Sequence, residues 1–158
     1  MAASEIKDLI GSSTAMTITL ASLGSSTVGV GRQSDIVDNT TTRYQLVRVY
    51  LKFKQGTSPT GSKSVYVYAL RDDNDGTNHR TDGAGASDAA ITVLNAPLVG
   101  VGYNKSSPAT GDTIYVECDI LHPGKKWGIA VVQDTGVNAD STAGNHWLRY
   151  QGFNPESQ

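Results

Sequence analysis

One cysteine, Cys118, stands alone in 158 residues. That excludes an internal disulfide and any zinc site built on a cysteine pair. It also fits a reducing environment better than passage through an oxidising one. Charge of one sign is missing too: the net charge is -2 and 18% of residues are charged, so no basic stripe of the nucleic-acid-binding kind is present. No run approaches the roughly 20 apolar residues that span a bilayer, and the first thirty residues lack the charged-then-apolar order of an export signal. The expectation is a soluble protein made in the cytoplasm, with no nucleic-acid or membrane partner.

What is present is a turn-rich β composition, with 17 glycines among many serines and threonines. The length suits one domain with a core of its own. From Thr14 onward the apolar period is two. "TAMTITLASL" puts Met16, Ile18 and Leu20 on one face. "TVGVG" reads as a short strand whose small residues admit a close approach by another backbone. "TTRYQLVRVYLKFKQG" is the clearest strand, with Val47, Val49, Leu51 and Phe53 facing one way and Arg48, Tyr50, Lys52 and Lys54 the other.

"TSPTG" is a turn, so "KSVYVYAL" is expected as its hairpin partner, with Val65, Val67 and Ala69 in the core and Tyr66 and Tyr68 outside or at a contact. "AAITVL", "LVGVGY", "TIYVECDIL", "WGIAVVQD" and "HWLRYQGF" follow, separated by Gly, Pro, Asn, Ser and Asp. Around Trp127 both faces are apolar, as in a strand covered on both sides. Eight or nine such strands predict an all-β, single-domain antiparallel β-sandwich, jelly-roll-like, spanning residues 14–158. Residues 1–13 form a short N-terminal arm or helix: Ser4 is placed to cap "SEIKDLIG", with Ile6, Leu9 and Ile10 on one face. Two turns need a surface to lie against, either this domain or a neighbouring subunit.

"RDDNDGTNHRTD" raises a calcium loop. With Gly76 at the sixth position, Asp73 and Asp75 fall at the third and fifth, but Arg71 takes the first and Asp82 the twelfth, and the flanks are strands. A polar loop between strands is the simpler reading; an irregular cation site at Asp73 and Asp75 is the remaining alternative. His79, His122 and His146 are scattered. Alternation puts Cys118 in the core and Glu117 and Asp119 together on the opposite face, a pair that would serve glycoside hydrolysis but is routine on an exposed strand. No nucleophile elbow or phosphate-binding loop occurs. The reading is no catalytic residue, no metal and no cofactor: not an enzyme.

Several stretches together resemble a known group. "ITLASLGSS", "GRQSDIVDNTTTRYQLVRVYLKFKQGTSPTGSKSVYVYAL", "APLVGV", "PGKKWGIAVVQDTG" and "NHWLRYQGF" are similar to small structural proteins encoded among the head genes of tailed bacteriophages. The likeness runs from about Ile18 to Phe153. Its most specific parts are G-R-x-S-x-x-x-D-N-[TS], Gly31 to Thr40, and Pro123 with Lys126 to Gly128, where this chain carries an additional pair, "PGKKWG".

The resemblance implies a capsid cement or decoration protein on the surface of the virion, with the major capsid protein as partner and homotrimers at local three-fold axes. It carries over no catalytic residue. On that reading Ile6, Leu9 and Ile10 of the arm, with Arg48, Tyr66 and Tyr68, are the expected partner contacts. A tail or fibre-attachment protein and a carbohydrate-binding module, using exposed tryptophan, are the alternatives.

Overall fold

The computed structural model describes residues 6–72 and 80–157. Eleven strands lie among them: β1 (Ile6–Ile10), β2 (Thr14–Met16), β3 (Val30–Gln33), β4 (Val37–Asp38), β5 (Leu46–Lys54), β6 (Ser64–Arg71), β7 (Ala89–Thr92), β8 (Leu98–Tyr103), β9 (Thr113–Leu121), β10 (Lys126–Gln133) and β11 (Trp147–Ser157). All pairings are antiparallel. The first sheet runs β1-β11-β5-β9 with β2 also on β11, and the second runs β7-β3-β10-β6-β8 with β4 also on β10.

Setting aside β1, β4 and β7 reveals the topology. β2 pairs with β11, β3 with β10, β5 with β9 and β6 with β8. The first strand meets the last, the second the last but one, and so inward. That is one long hairpin rolled into two sheets, a jelly roll. The sandwich expected from the alternation is therefore what forms, with two or three more strands among the described residues than expected.

Alternation is what drives the two sheets together. Val47, Val49, Leu51 and Phe53 of β5 meet Val65, Val67 and Ala69 of β6 across the core, joined by Ile114, Val116, Cys118, Ile120, Trp127, Ile129 and Leu148. A buried side chain of this size contributes roughly 1.5–3 kcal/mol over its exposed state. Trp127 is fully buried and meets Tyr150 edge-to-face at 5.0 Å. β10 is covered on both sides, because Leu70 and Ala130 on its sheet's outer face lie under Ala84, Ile91 and Ala96.

Four local expectations are corrected. Residues 6–10 form a strand rather than a helix, since β1 finds a full ladder along β11 that an isolated pair of helical turns lacks. β6 is not the hairpin partner of β5: the connection at residues 55–63 crosses to the other sheet, with Ser58 and Ser62 at positive φ. Only Thr14–Met16 of the next segment is strand, although Ile18 and Leu20 still reach the core. The strand expected at "TVGVG" starts late, at Val30, after Gly29 turns at φ 80. Its close approach is real: a Cβ on Gly31 would lie 2.2 Å from the Val131 carbonyl oxygen.

A candidate docking surface at the terminal end

The connections gather at two ends. One end holds the loops before β3, after β5, after β8 and after β10; the other holds the connections 39–45 and 122–125, with the strand ends of β1 and β11. Asn39 organises the second end. Its side-chain amide donates to the Tyr44 and Gly124 carbonyls at 3.1 and 3.0 Å, and its oxygen accepts from the Thr42 hydroxyl and the Tyr44 N–H. Arg43 N–H closes a turn onto the Asn39 carbonyl, and His122 N–H bonds the Gln45 carbonyl at 2.7 Å.

These bonds frame a cleft of about 550 Å³ lined by Asn39, Thr40, Arg43, Tyr44, Gln45, His122, Gly124 and Lys125. Arg43 and His122 stand in it at φ 50 and 48, a left-handed conformation uncommon outside glycine. Arg43 and Lys125 are exposed, and among the described residues neither has an acidic partner.

Beside the cleft, strand register lines up four apolar residues on the outer face of the first sheet. Ile10 pairs with Phe153, Phe153 with Leu46, and Leu46 with Leu121. Ile10 is 57% exposed and Leu121 62%. Leu121 leads directly into His122, and Leu46 follows Gln45 and Tyr44, so row and cleft are one continuous surface.

The expected contact residues divide between faces. Ile10 joins this row, while Leu9 is exposed on the other face of β1; Ile6 pairs with Ser157. Arg48 lies one row away, its guanidinium 5.8 Å from the Phe153 ring centroid. Tyr66 and Tyr68 sit on the opposite sheet, and Tyr68 packs against the small cluster around Leu70 and Ile91. Burial, with Tyr66 adding to it, raises the Tyr68 phenol. Leu46, Leu121, Phe153, Arg43 and Lys125 were not singled out from the sequence. Leu121 does continue the outward alternation of Tyr115, Glu117 and Asp119, and that is the signal that would have found it.

The candidate chemical groups are engaged elsewhere. Arg48 grips Asp119 with two bonds, Nε to Oδ1 at 2.7 Å and Nη2 to Oδ2 at 2.9 Å, and approaches Glu117 at 3.4 Å. The Arg48 hydrogen bond, against a smaller burial penalty, holds the Asp119 carboxyl below the usual range. Burial, with Asp119 and Glu117 adding negative charge, pushes the Cys118 thiol up to about 12. His146 accepts at Nδ1 from Lys54 N–H, which leaves Nε2–H to donate to the Asp140 carbonyl at 2.9 Å. Asp73, Asp75 and His79 lie outside the described residues; among those described, no three His, Cys, Asp or Glu side chains gather as a metal set.

The two most specific stretches of the sequence do structural work. Arg32 bonds Asp88 at 2.5 Å, linking β3 to the segment before β7. The Ser34 hydroxyl is buried, accepting from Ile129 N–H and donating to the Asp35 carbonyl. Asp38 accepts from the Thr40 N–H and hydroxyl. Gly128 leaves room for Ile36, whose Cδ1 would lie 2.6 Å from an added Cβ.

Fold and surface together define a jelly roll with a cleft and an adjoining apolar row at one end. No protein-family model matches the chain. No curated protein matches it either. A solved chain of Desmodium yellow mottle tymovirus is 15% identical over 99% of this chain and 89% of its own length, at a TM-score of 0.33. The K3 cleaved adhesin domain of Lys-gingipain from Porphyromonas gingivalis w83 is 13% identical over 89% of this chain and 60% of that one, at 0.22. Likenesses of that size carry no argument about this chain.

Proposed function

We propose that the chain is a non-enzymatic structural protein of a virion, a cement or decoration protein of the tailed-bacteriophage kind. It binds the outer surface of a shell built from the major capsid protein, as a homotrimer, and stabilises the head. The observation that carries this reading is the outward-facing apolar row in register across four strands, continuous with a cleft whose cations lack acidic partners among the described residues. Such a surface is arranged for contact. The groups that would do chemistry support the same reading: the carboxylate pair is gripped by Arg48, and the lone thiol is protonated in the core. The jelly roll is compatible with it, but fold alone assigns no function. Stabilisation follows from mass action, because a protein that buries surface only on the assembled shell favours the assembled state.

Labelled antibody on intact particles tests the reading. Label over the head supports it, label at the tail moves the chain to the tail or fibre alternative, and particles without label contradict a virion role. One observation favours the carbohydrate-binding alternative: Trp147, Lys52 and Tyr115 form a row on the first sheet, with Tyr115 65% exposed. A glycan array showing saturable binding lost in Trp147→Ala would establish it.

A further inference from the structure

We propose that the apolar row and the cationic cleft act as a single docking site, and that its occupant is a shell-protein segment carrying apolar side chains and carboxylates. This rests on the shell-binding reading and deepens it, naming the end of the molecule that docks and the chemistry it meets.

Size requires the two parts to act together. Four neighbouring strands give a row only about 14 Å across at roughly 4.8 Å per strand. A stable interface covers about 800 Å² per partner, so a partner resting on the row must also cover the adjoining cleft. There it meets Arg43 and Lys125, neither of which has an acidic partner within the described chain. A partner cation would be repelled, whereas a carboxylate gains a planar guanidinium fork and an ammonium together. The apolar row excludes water from one flank of that pair, which strengthens it.

The same surface argues against a second copy related by a two-fold axis. Superposing two such ends brings Arg43 and Lys125 toward their own counterparts. The complement that fits is therefore not the same end of a second copy in a two-fold pair.

The test uses the full chain and two probes. The first is preassembled shells of the coat protein encoded in the same genome, read by co-sedimentation. The second is a synthetic peptide alternating Glu and Leu, with its Lys and Leu counterpart as control, read by fluorescence anisotropy. The Glu-Leu peptide is expected to bind and to compete with shells, and the Lys-Leu peptide to do neither. Arg43→Glu with Lys125→Glu is expected to weaken both interactions about tenfold or more, and Leu121→Asp to weaken them comparably with the charges untouched. Tyr103→Ser, at the other end, is expected to leave them unchanged. Raised salt is expected to weaken binding of the parent chain. Shell binding unaffected by both site variants would overturn the docking site while sparing the shell-binding reading. Absence of shell binding by the parent chain would overturn the reading, and the peptide result would then decide the site separately.

Discussion

The two ends of this jelly roll treat charge in opposite ways. At the loop end the lysines are spent on neighbouring aspartates: Lys54 on Asp140, Lys63 on Asp134 and Lys105 on Asp112. Buried amides lock the same loops. Gln133 donates to the Leu23 and Val137 carbonyls and accepts from the Thr135 N–H and hydroxyl, and Asn104 bridges Gln55 and Thr60. At the terminal end the cleft is also well hydrogen-bonded, and Arg43 Nε donates to the Thr40 carbonyl, yet among the described residues neither Arg43 nor Lys125 has an acidic partner and an apolar row faces outward. Both ends are built on the same strands. The difference teaches that an ordered backbone and paired charges are separable: one end has both, and the other orders its backbone while, among the described residues, its two cations have no acidic partner.

The largest effect is expected where satisfaction is most complete. Gln133→Leu leaves the buried Thr135 N–H without a partner, at about 1–3 kcal/mol, while the Leu23 carbonyl keeps the Ala139 N–H and the Val137 carbonyl keeps the Thr135 hydroxyl. A loss of about 1–3 kcal/mol in urea unfolding is expected; a loss near zero would mean the loop end is not held by this amide. Acid comes next. The Asn145 side chain first, then the Thr142 N–H and Lys54, hold the Asp140 carboxyl down to about 2, and the Lys105 bond lowers Asp112. Both sit below the usual value near 4. The stability they contribute is therefore present above that value and is lost as pH falls toward about 2. Asp140→Asn is expected to flatten the melting-temperature profile across that window; an unchanged slope would remove Asp140 from the account.

Smaller effects probe the outer face. Arg48→Met frees Asp119 and Glu117, and because the pair is exposed the midpoint of urea unfolding is expected to shift only slightly. The Asp119 carboxyl is expected to move upward in an NMR titration, and a fixed value would show that Arg48 does not hold it down. Smallest of all, Leu121→Ser is expected to change stability by no more than about 0.5 kcal/mol. A large loss there would make the row part of the core, and so break the contrast between the two ends.

The legible part of this fold was the alternation. It marked the inward residues of β5, β6 and β9 and the two-sided burial of β10 because strand side chains point to opposite faces at every second position. Which strand pairs with which was not legible locally. β5 and β6 adjoin in sequence and part into different sheets, while β2 meets β11 from the far end of the chain. The ribbon of β1 was hidden for the same reason. Ile6, Leu9 and Ile10 fit a helix face as well as a strand, and only the distant β11 decides between them. The docking surface depends on register. Ile10, Leu46, Leu121 and Phe153 come from four separate segments, and nothing in any one of them announces the other three. Arg43 and Lys125 line one cleft because Asn39 bonds the Tyr44 and Gly124 carbonyls beside them.

Amide hydrogen exchange on the chain, free and bound to shells, tests the central claim most directly. Protection gained at Ile10, residues 39–46 and residues 121–125, with the loop end unchanged, is the result this account predicts. Protection gained at residues 55–63 and 104–112 instead, with the terminal end unchanged, would contradict it.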